Sequence, residues 1–419
     1  MAKILKSSWR KLDNVAKIFS LDDKNNTNIF RFSAVLKQKI NKHLLKKAVD
    51  KSLNQYKNFK VKIGTGLFWN YLELNYNDVI INEENEIPCE HIDFEKNNDY
   101  LFKVSYYNKK INLDIYHVLT DGTGAISFFK CLICNYLELK HDFVIENSPK
   151  EEQINYKDEY VKNYDKKLNI KMPFKSAYLI KGKINKNINN TYHYIVDIKE
   201  IKKVCKKYGV TITEYLTALY IYAIYLSIYK NSKKEIIITI PINLRKYYQV
   251  ETLSNFFVCM NINPKILEKK LNNFDDILVE VHHEFQENLN EDKIRKYLSR
   301  DVKWGKNISI RLIPLFIKKM FMKYAGILVS KSATSTLSNV GIIDFEAKYK
   351  KYIDNVLVLV MPGRIQKIKC TICSFDKKLN ITLNSNIDDY NFEQTFYKLL
   401  RRNIKNIKLE SNNKVEFAK

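Results

Sequence analysis

The 419-residue chain has no apolar run long enough to span a bilayer. Its most apolar window, Tyr215 to Tyr229, is short and rich in hydroxyls and reads as a buried helix. The opening residues, MAKILKSSWRKL, lack an apolar stretch of secretory-signal length. These absences lead to the expectation of a soluble, cytoplasmic protein. No glycine loop of the G-x4-G-K kind that cradles phosphates is present. No serine or cysteine sits in a nucleophile-elbow context, and no repeat of solenoid length occurs. Seven cysteines, an odd number, suit a reducing compartment better than a disulfide framework. The two C-x2-C pairs, Cys131/Cys134 and Cys370/Cys373, lie in helix-like and strand-like runs without a turn glycine. That context reads as core packing, with no metal expected.

Acid is also scarce relative to base, 46 Asp and Glu against 71 Lys and Arg, for a net charge of +25. Such an excess could serve nucleic acid, an anionic membrane or anionic small molecules. The lysines are scattered and no recognition motif accompanies them. Lys, Asn, Ile and Tyr are inflated together, so compositional bias accounts for the charge and no nucleic-acid partner is expected. The segment Ile310 to Lys331 mixes apolar residues with lysines. It fits a membrane-surface helix, but a core-facing amphipathic helix is the commoner case and is the expectation here.

At 45% hydrophobic residues the chain can build sizeable cores, and its length favours two lobes. Strands separated by helices in both halves indicate an α/β or α+β fold. Residues 29–36 read as a strand, and Asn41 as the cap of a helix to about Gln55. Val61–Ile63 and Leu67–Leu74 read as a hairpin. Leu101–Tyr107 and Ile111–His117 form a strand pair, followed by a helix from Gly122 to near Lys140. The polar stretch from His141 to about Asn169 is the expected crossover, dividing residues 1–165 from 166–419. In the second part, Tyr192–Val196, Glu235–Ile242 and 256–262 read as strands. Thr213 opens the apolar helix, and one long helix covers Phe274 to about Tyr297. Further strands are expected at Thr334–Ser338, Val356–Val360, Ile368–Ser374 and Leu379–Asn384, before a closing helix from about Phe392 to Ile404.

The stretch around which these elements are arranged is NLDIYHVLTDGTGAISFF, Asn112 to Phe129. Leu113, Ile115 and His117 alternate with Asn112, Asp114 and Tyr116, the period of a half-buried strand, with His117 on the inward face. A histidine at the end of a strand, followed by a glycine-bearing turn into a helix, is suited to proton abstraction. Imidazole alone among side chains titrates unperturbed near neutrality. Asp121, four residues on, could hold the imidazole or fix the loop by pairing with a cation. Gly122 and Gly124 permit a tight backbone there. The paired His282-His283 sits in the long helix at about 100° between neighbours, which does not suit a metal.

His117-x3-Asp121-Gly122 resembles the H-x3-D-G signature of the chloramphenicol acetyltransferase-like acyltransferases. That superfamily includes condensation domains, plant acyl-CoA transferases and alcohol acetyltransferases. Further stretches are similar to the alcohol acetyltransferase branch, in the family's order. They are WRKLDNVAKIF (9–19), GLFWNYL (66–72), PINLR (241–245), SNFF (254–257) and LSNVG (337–341). Many relatives carry a second histidine just before the catalytic one; here that position is Tyr116, which weighs against a thioester-carrier condensation role.

The resemblance implies two similar lobes around a central tunnel, with His117 at their junction. It implies that His117 acts as general base on an acceptor hydroxyl attacking an acyl thioester, with no covalent intermediate. Asp121 would then point away from substrate and pair with an arginine of the second lobe, for which Arg245 is the candidate. Thr336, Ser338 and Asn339 become candidate oxyanion donors, and Asn255 a residue lining the same region. Acyl-CoA is expected as co-substrate with no permanently bound cofactor, and a small alcohol or lipid-like molecule as acceptor. The protein is expected to be a monomer. The alternatives are a carrier protein as acyl donor, or a non-catalytic condensation-like binding domain.

Overall fold

The computed structural model describes residues 9–21, 28–84, 87–142, 157–168, 175–184, 189–229 and 232–412. Two mixed sheets organise these residues. In the first, the strands lie in the order Ile353–Val360, Ile29–Leu36, Lys110–Tyr116, Phe102–Tyr107 and Ile81–Glu83. The second runs Phe257–Ile262, Ile238–Asn243, Ser335–Ile342, Ile368–Phe375, Lys378–Ser385, Asn190–Asp197 and Ile407–Ser411. A three-stranded sheet of Trp9–Lys11, Asn70–Leu74 and Val61–Thr65 flanks the first lobe. Each large sheet has its own buried cluster, built around Phe32, Phe102 and Phe128 in the first lobe and Tyr194, Tyr220 and Phe396 in the second.

The local signals act as expected where a cap or an alternation is strong. Asn41 caps the helix Lys42–Gln55 by accepting from the Leu44 amide at 3.1 Å. The hairpin Val61–Thr65 with Asn70–Leu74 is antiparallel, and the helix after the H-x3-D-G turn runs Gly122–His141. The apolar helix begins one residue earlier than its expected start, at Ile212. There Thr211 and Glu214 form a reciprocal capping box.

Several features differ from expectation. The single helix from Phe274 is two, Phe274–Asn288 and Glu291–Lys306, because the Asn290 side chain accepts from the Lys293 amide and starts a new helix. The strand Ile353–Val360 pairs antiparallel with Ile29–Leu36, so sheet membership crosses the expected chain boundary at 165/166. Residues 143–156 of the expected crossover lie outside the described residues. The strand Lys110–Tyr116 is buried on both faces, not one. Asn112 and Asp114 are sealed in a polar network in which Arg31 grips Asp114 at 2.7 and 2.6 Å and Ser33 donates to Asn112. Finally, the 310–331 segment buries only Leu315 among its apolar side chains and exposes Leu312, Phe316, Met320, Phe321, Tyr324 and Val329. None of the described helices is long and apolar enough to cross a membrane.

Candidate active site

His117 lies one residue beyond the strand Lys110–Tyr116, its amide donating to the Asn28 carbonyl at 2.8 Å. The imidazole is half-buried among three rings: Phe19, Phe30 and Phe257, with centroids 4.6, 4.9 and 5.5 Å away. Residues 252–256 of the second lobe close over the loop. Thr120 donates to the Leu253 carbonyl at 2.6 Å, and the Phe256 amide donates to Asp121 Oδ2 at 2.9 Å.

Asn255 bonds the imidazole directly and fixes its tautomer. Its Nδ2 lies 2.9 Å from Asp13 Oδ2 and 3.2 Å from the His117 carbonyl, two groups that can only accept. The amide therefore presents Oδ1 to the ring, 3.0 Å from His117 Nδ1. Nδ1 must carry the proton, and Nε2 keeps the lone pair. Asp13 in turn is fixed as a helix cap, Oδ1 accepting from the Val15 and Ala16 amides and Oδ2 from the Asn255 amide. Burial pushes the Asp13 carboxyl up to about 6, against the pull of those N–H donors. Burial likewise lowers the His117 pKa below its ordinary value, partly offset by the charge of Asp121. Lys369, on the adjacent second-lobe strand, adds to the lowering. At neutral pH the ring is a free base.

Asp121 and Arg245 form a two-pronged ion pair, Nη1 to Oδ2 at 2.8 Å and Nη2 to Oδ1 at 3.0 Å, with both side chains nearly buried. Asp121 also caps the helix Gly122–His141 through the Thr123 and Gly124 amides. Arg245 spends its remaining donors on the carbonyls of Thr252 and Ser254 and on Asn243. Of the two readings open for Asp121, the carboxylate occupies the one in which it ties the loop to a cation.

The glycines divide differently from their order in the motif. A Cβ on Gly122 would meet only Val340 Cγ1, at 3.9 Å. A Cβ on Gly124 would sit 2.1 Å from Thr120 Oγ1 and 2.6 Å from the Leu253 carbonyl. The close approach of the lobes thus requires glycine at 124.

The three oxyanion candidates are not equivalent. Thr336 donates to Gln366 at 2.8 Å, and Asn339 is exposed and donates to Thr213 at 2.8 Å. The half-buried Ser338 hydroxyl makes no hydrogen bond among the described residues. Leu337 is fully buried in the second-lobe core, so Thr336 and Ser338 face the opposite side. Asp13 and Lys369 carried no role in the sequence reading. Asp13 falls within the WRKLDNVAKIF stretch that carries the family resemblance. Lys369 reaches the site by strand pairing alone, opposite Thr336. A cavity of about 550 Å³ lined by Arg31, Glu84, His91 and Asp114 contains none of these residues.

The family model described as alcohol acetyltransferase matches residues 177–404, more than half of the chain. The chain belongs to the alcohol acetyltransferase family. The matched span holds Arg245, Asn255 and residues 336–339, whereas His117 and Asp121 precede it. No curated protein matches the chain by sequence. Among solved structures, TRI101 of F. graminearum complexed with ethyl coenzyme A superposes with a TM-score of 0.63 at 9% identity, covering 96% of this chain and 99% of that one. TRI3, the trichothecene 15-O-acetyltransferase of Fusarium sporotrichioides, gives 0.60 at 9%, with coverages of 93% and 94%. The starter condensation domain of rhizomide synthetase, in complex with C8-CoA and Leu-SNAC, gives 0.61 at 9%, with 94% and 93%. At these identities the likeness is one of fold, and that fold is the two-lobed chloramphenicol acetyltransferase-like architecture.

Proposed function

We propose that the protein transfers an acyl group, acetyl in the simplest case, from an acyl-CoA thioester to a hydroxyl acceptor. The observation that carries this reading is the relay Asp13–Asn255–His117, which leaves a neutral imidazole with Nε2 as its basic nitrogen. In the reaction, the acceptor O–H attacks the thioester carbonyl while Nε2 takes its proton. The C–O bond forms and the carbonyl pair becomes an oxyanion, for which the Ser338 hydroxyl is the available donor. Collapse of the tetrahedral intermediate breaks the C–S bond, and the imidazolium returns its proton to the departing thiolate. The products are an ester and free coenzyme A, with no acyl-enzyme on the path.

Support for a coenzyme A thioester comes from the family match and from two fold neighbours solved with coenzyme A derivatives. A central passage between the lobes, entered by the two substrates from opposite faces, is what the fold family implies for this chain. The described residues up to 142, with 343–360, would form one wall, and Tyr160 with the second-lobe core the other. Purified protein should release thiol from an acyl-CoA only when an alcohol is supplied, and His117→Ala should abolish it. Release from carrier-bound thioesters but not from free acyl-CoA would favour the carrier-protein reading. Equal release by wild type and variant would overturn the assignment of His117.

A further inference from the structure

The segment 308–331 forms two helices, Ile308–Leu312 and Leu315–Lys331, parted at Pro314. A helix at the surface of a globular protein ordinarily turns its apolar stripe to the core. Here a second set of large apolar side chains stays exposed, beside Lys319 and Lys323. In the longer helix only Leu315 and Lys318 are buried. The Lys318 ammonium is turned inward, donating to the carbonyls of Phe68 and Arg311 and lying 3.8 Å above the Trp69 ring. Leu312, Phe316, Met320, Phe321 and Tyr324 face outward, each at least 60% exposed. Leu67, 72% exposed, accepts from the Leu315 amide and extends the apolar surface onto the first lobe.

Within the stretch that forms this face the charge is of one sign. From Val302 to Ile343 the sequence contains no Asp or Glu. Lys303, Lys306, Arg311, Lys319, Lys323 and Lys331 lie in the same stretch, and Lys319 and Lys323 sit beside the exposed aromatic rings. We infer that these helices are a docking element for a bilayer surface bearing anionic lipids. The aromatic and aliphatic side chains would enter the boundary between headgroups and acyl chains, while the lysine stems reach back to the phosphates. A second copy of the chain is a poorer occupant. A two-fold contact would set this lysine-bearing, acid-free face against itself. The helix leads directly into the strand Ser335–Ile342, and Gln366, which accepts from Thr336, donates to the Ser330 carbonyl of that helix. Docking would therefore bear directly on the strand that carries Thr336 and Ser338. The inference concerns binding, and stands or falls separately from acyl transfer.

The test is cosedimentation of the full chain with phosphatidylcholine vesicles, with and without phosphatidylglycerol, at low and high salt. The expected result is binding to the anionic vesicles, weakened by salt and at least about tenfold weaker on neutral ones. The exposed double variant Phe316→Glu/Phe321→Glu should lose that binding by a similar factor, while melting and thiol release with a water-soluble alcohol stay at the wild-type level. If that variant fails to fold, Lys319→Glu/Lys323→Glu serves instead, and should abolish only the preference for anionic lipid. No sedimentation with any vesicle, or binding indifferent to either variant, overturns the inference. So does a concentration-dependent dimer that the Phe variant dissolves and vesicles do not compete for; the face would then be a contact between copies.

Discussion

Asn255 holds His117 at two points, its Nδ2 bonding the histidine's carbonyl at 3.2 Å and its Oδ1 lying 3.0 Å from Nδ1 of the ring. The two residues belong to different lobes, so the tautomer of the base depends on the lobes being closed together. The same amide is anchored on Asp13, which makes a helix cap near the N-terminus part of the imidazole's support.

Removing that amide should leave the fold largely intact and disturb the base. Asn255→Ala is expected to lower kcat by about 10- to 100-fold, within the range attributed to positioned acid–base groups and their supports. KM for acyl-CoA should change little. The ¹⁵N shifts of His117 supply a readout that loss of packing alone would not move. In wild type they should report protonation at Nδ1, and in the variant a mixture of tautomers. A variant with reduced kcat but an unchanged tautomer would show that Asn255 acts by some other route.

The pH profile follows from the direction of the His117 shift. The base must be neutral, and burial lowers its pKa, so the neutral form persists as pH falls below the ordinary histidine value of about 6.5. The acid limb of kcat/KM is expected below that value. Asp13, pushed up to about 6, gains its own proton over the same interval and loses its hold on Asn255, so the limb should be steeper than a single ionisation. Asp121 favours the protonated ring, hence Asp121→Asn should move the limb to still lower pH. An acid limb centred above the ordinary histidine value would contradict the buried, neutral base.

The Asp121–Arg245 pair predicts a strong thermodynamic coupling. Both side chains are nearly buried, with exposures of 6% and 10%, so removing one leaves the other unpaired at about 3–5 kcal/mol. Asp121→Asn and Arg245→Gln should each lower stability in denaturant titrations, and the double variant, with both charges gone, should lose far less than the sum. Additive losses would mean that the fork holds neither loop nor lobe.

The contrast between what the chain announces and what it conceals has a physical basis. His117, Asp121 and Gly122 are legible because a strand, a turn and a helix N-terminus follow one another within a few residues, each with its own local signal. Arg245 and Asn255 could be found only through family resemblance, for nothing in PINLR or SNFF shows that those residues reach across to His117 and Asp121. Asp13 lies in the WRKLDNVAKIF stretch, which does not show its second oxygen's partner, 242 residues away. The break at Asn290 competes with a hydrophobic period that runs through it, and a single Asn cap was too weak a signal against that period. Val356–Val360 reads as a strand, three residues short of its observed start at Ile353, yet which sheet receives it depends on long-range pairing that no local pattern encodes.

The two motif glycines give the sharpest steric prediction. Gly124→Ala places a methyl group 2.1 Å from Thr120 Oγ1 and 2.6 Å from the Leu253 carbonyl. Thr120 cannot swing aside freely, because its hydroxyl already bonds that same carbonyl. The 252–256 segment must retreat, at about 1–3 kcal/mol for the overpacking, and Asn255 retreats with it. The variant is therefore expected to melt lower and to lose kcat together. Gly122→Ala has ordinary room beside Val340. It should hold or raise the melting temperature, since alanine is favoured over glycine in a helix by roughly 1 kcal/mol. Thermal melts with kcat for both variants decide the matter. A Gly124→Ala protein that melts and turns over like wild type would show that the lobes do not close as tightly as this contact requires. A Gly122→Ala protein that is stable but inactive would place substrate in the space beside Val340.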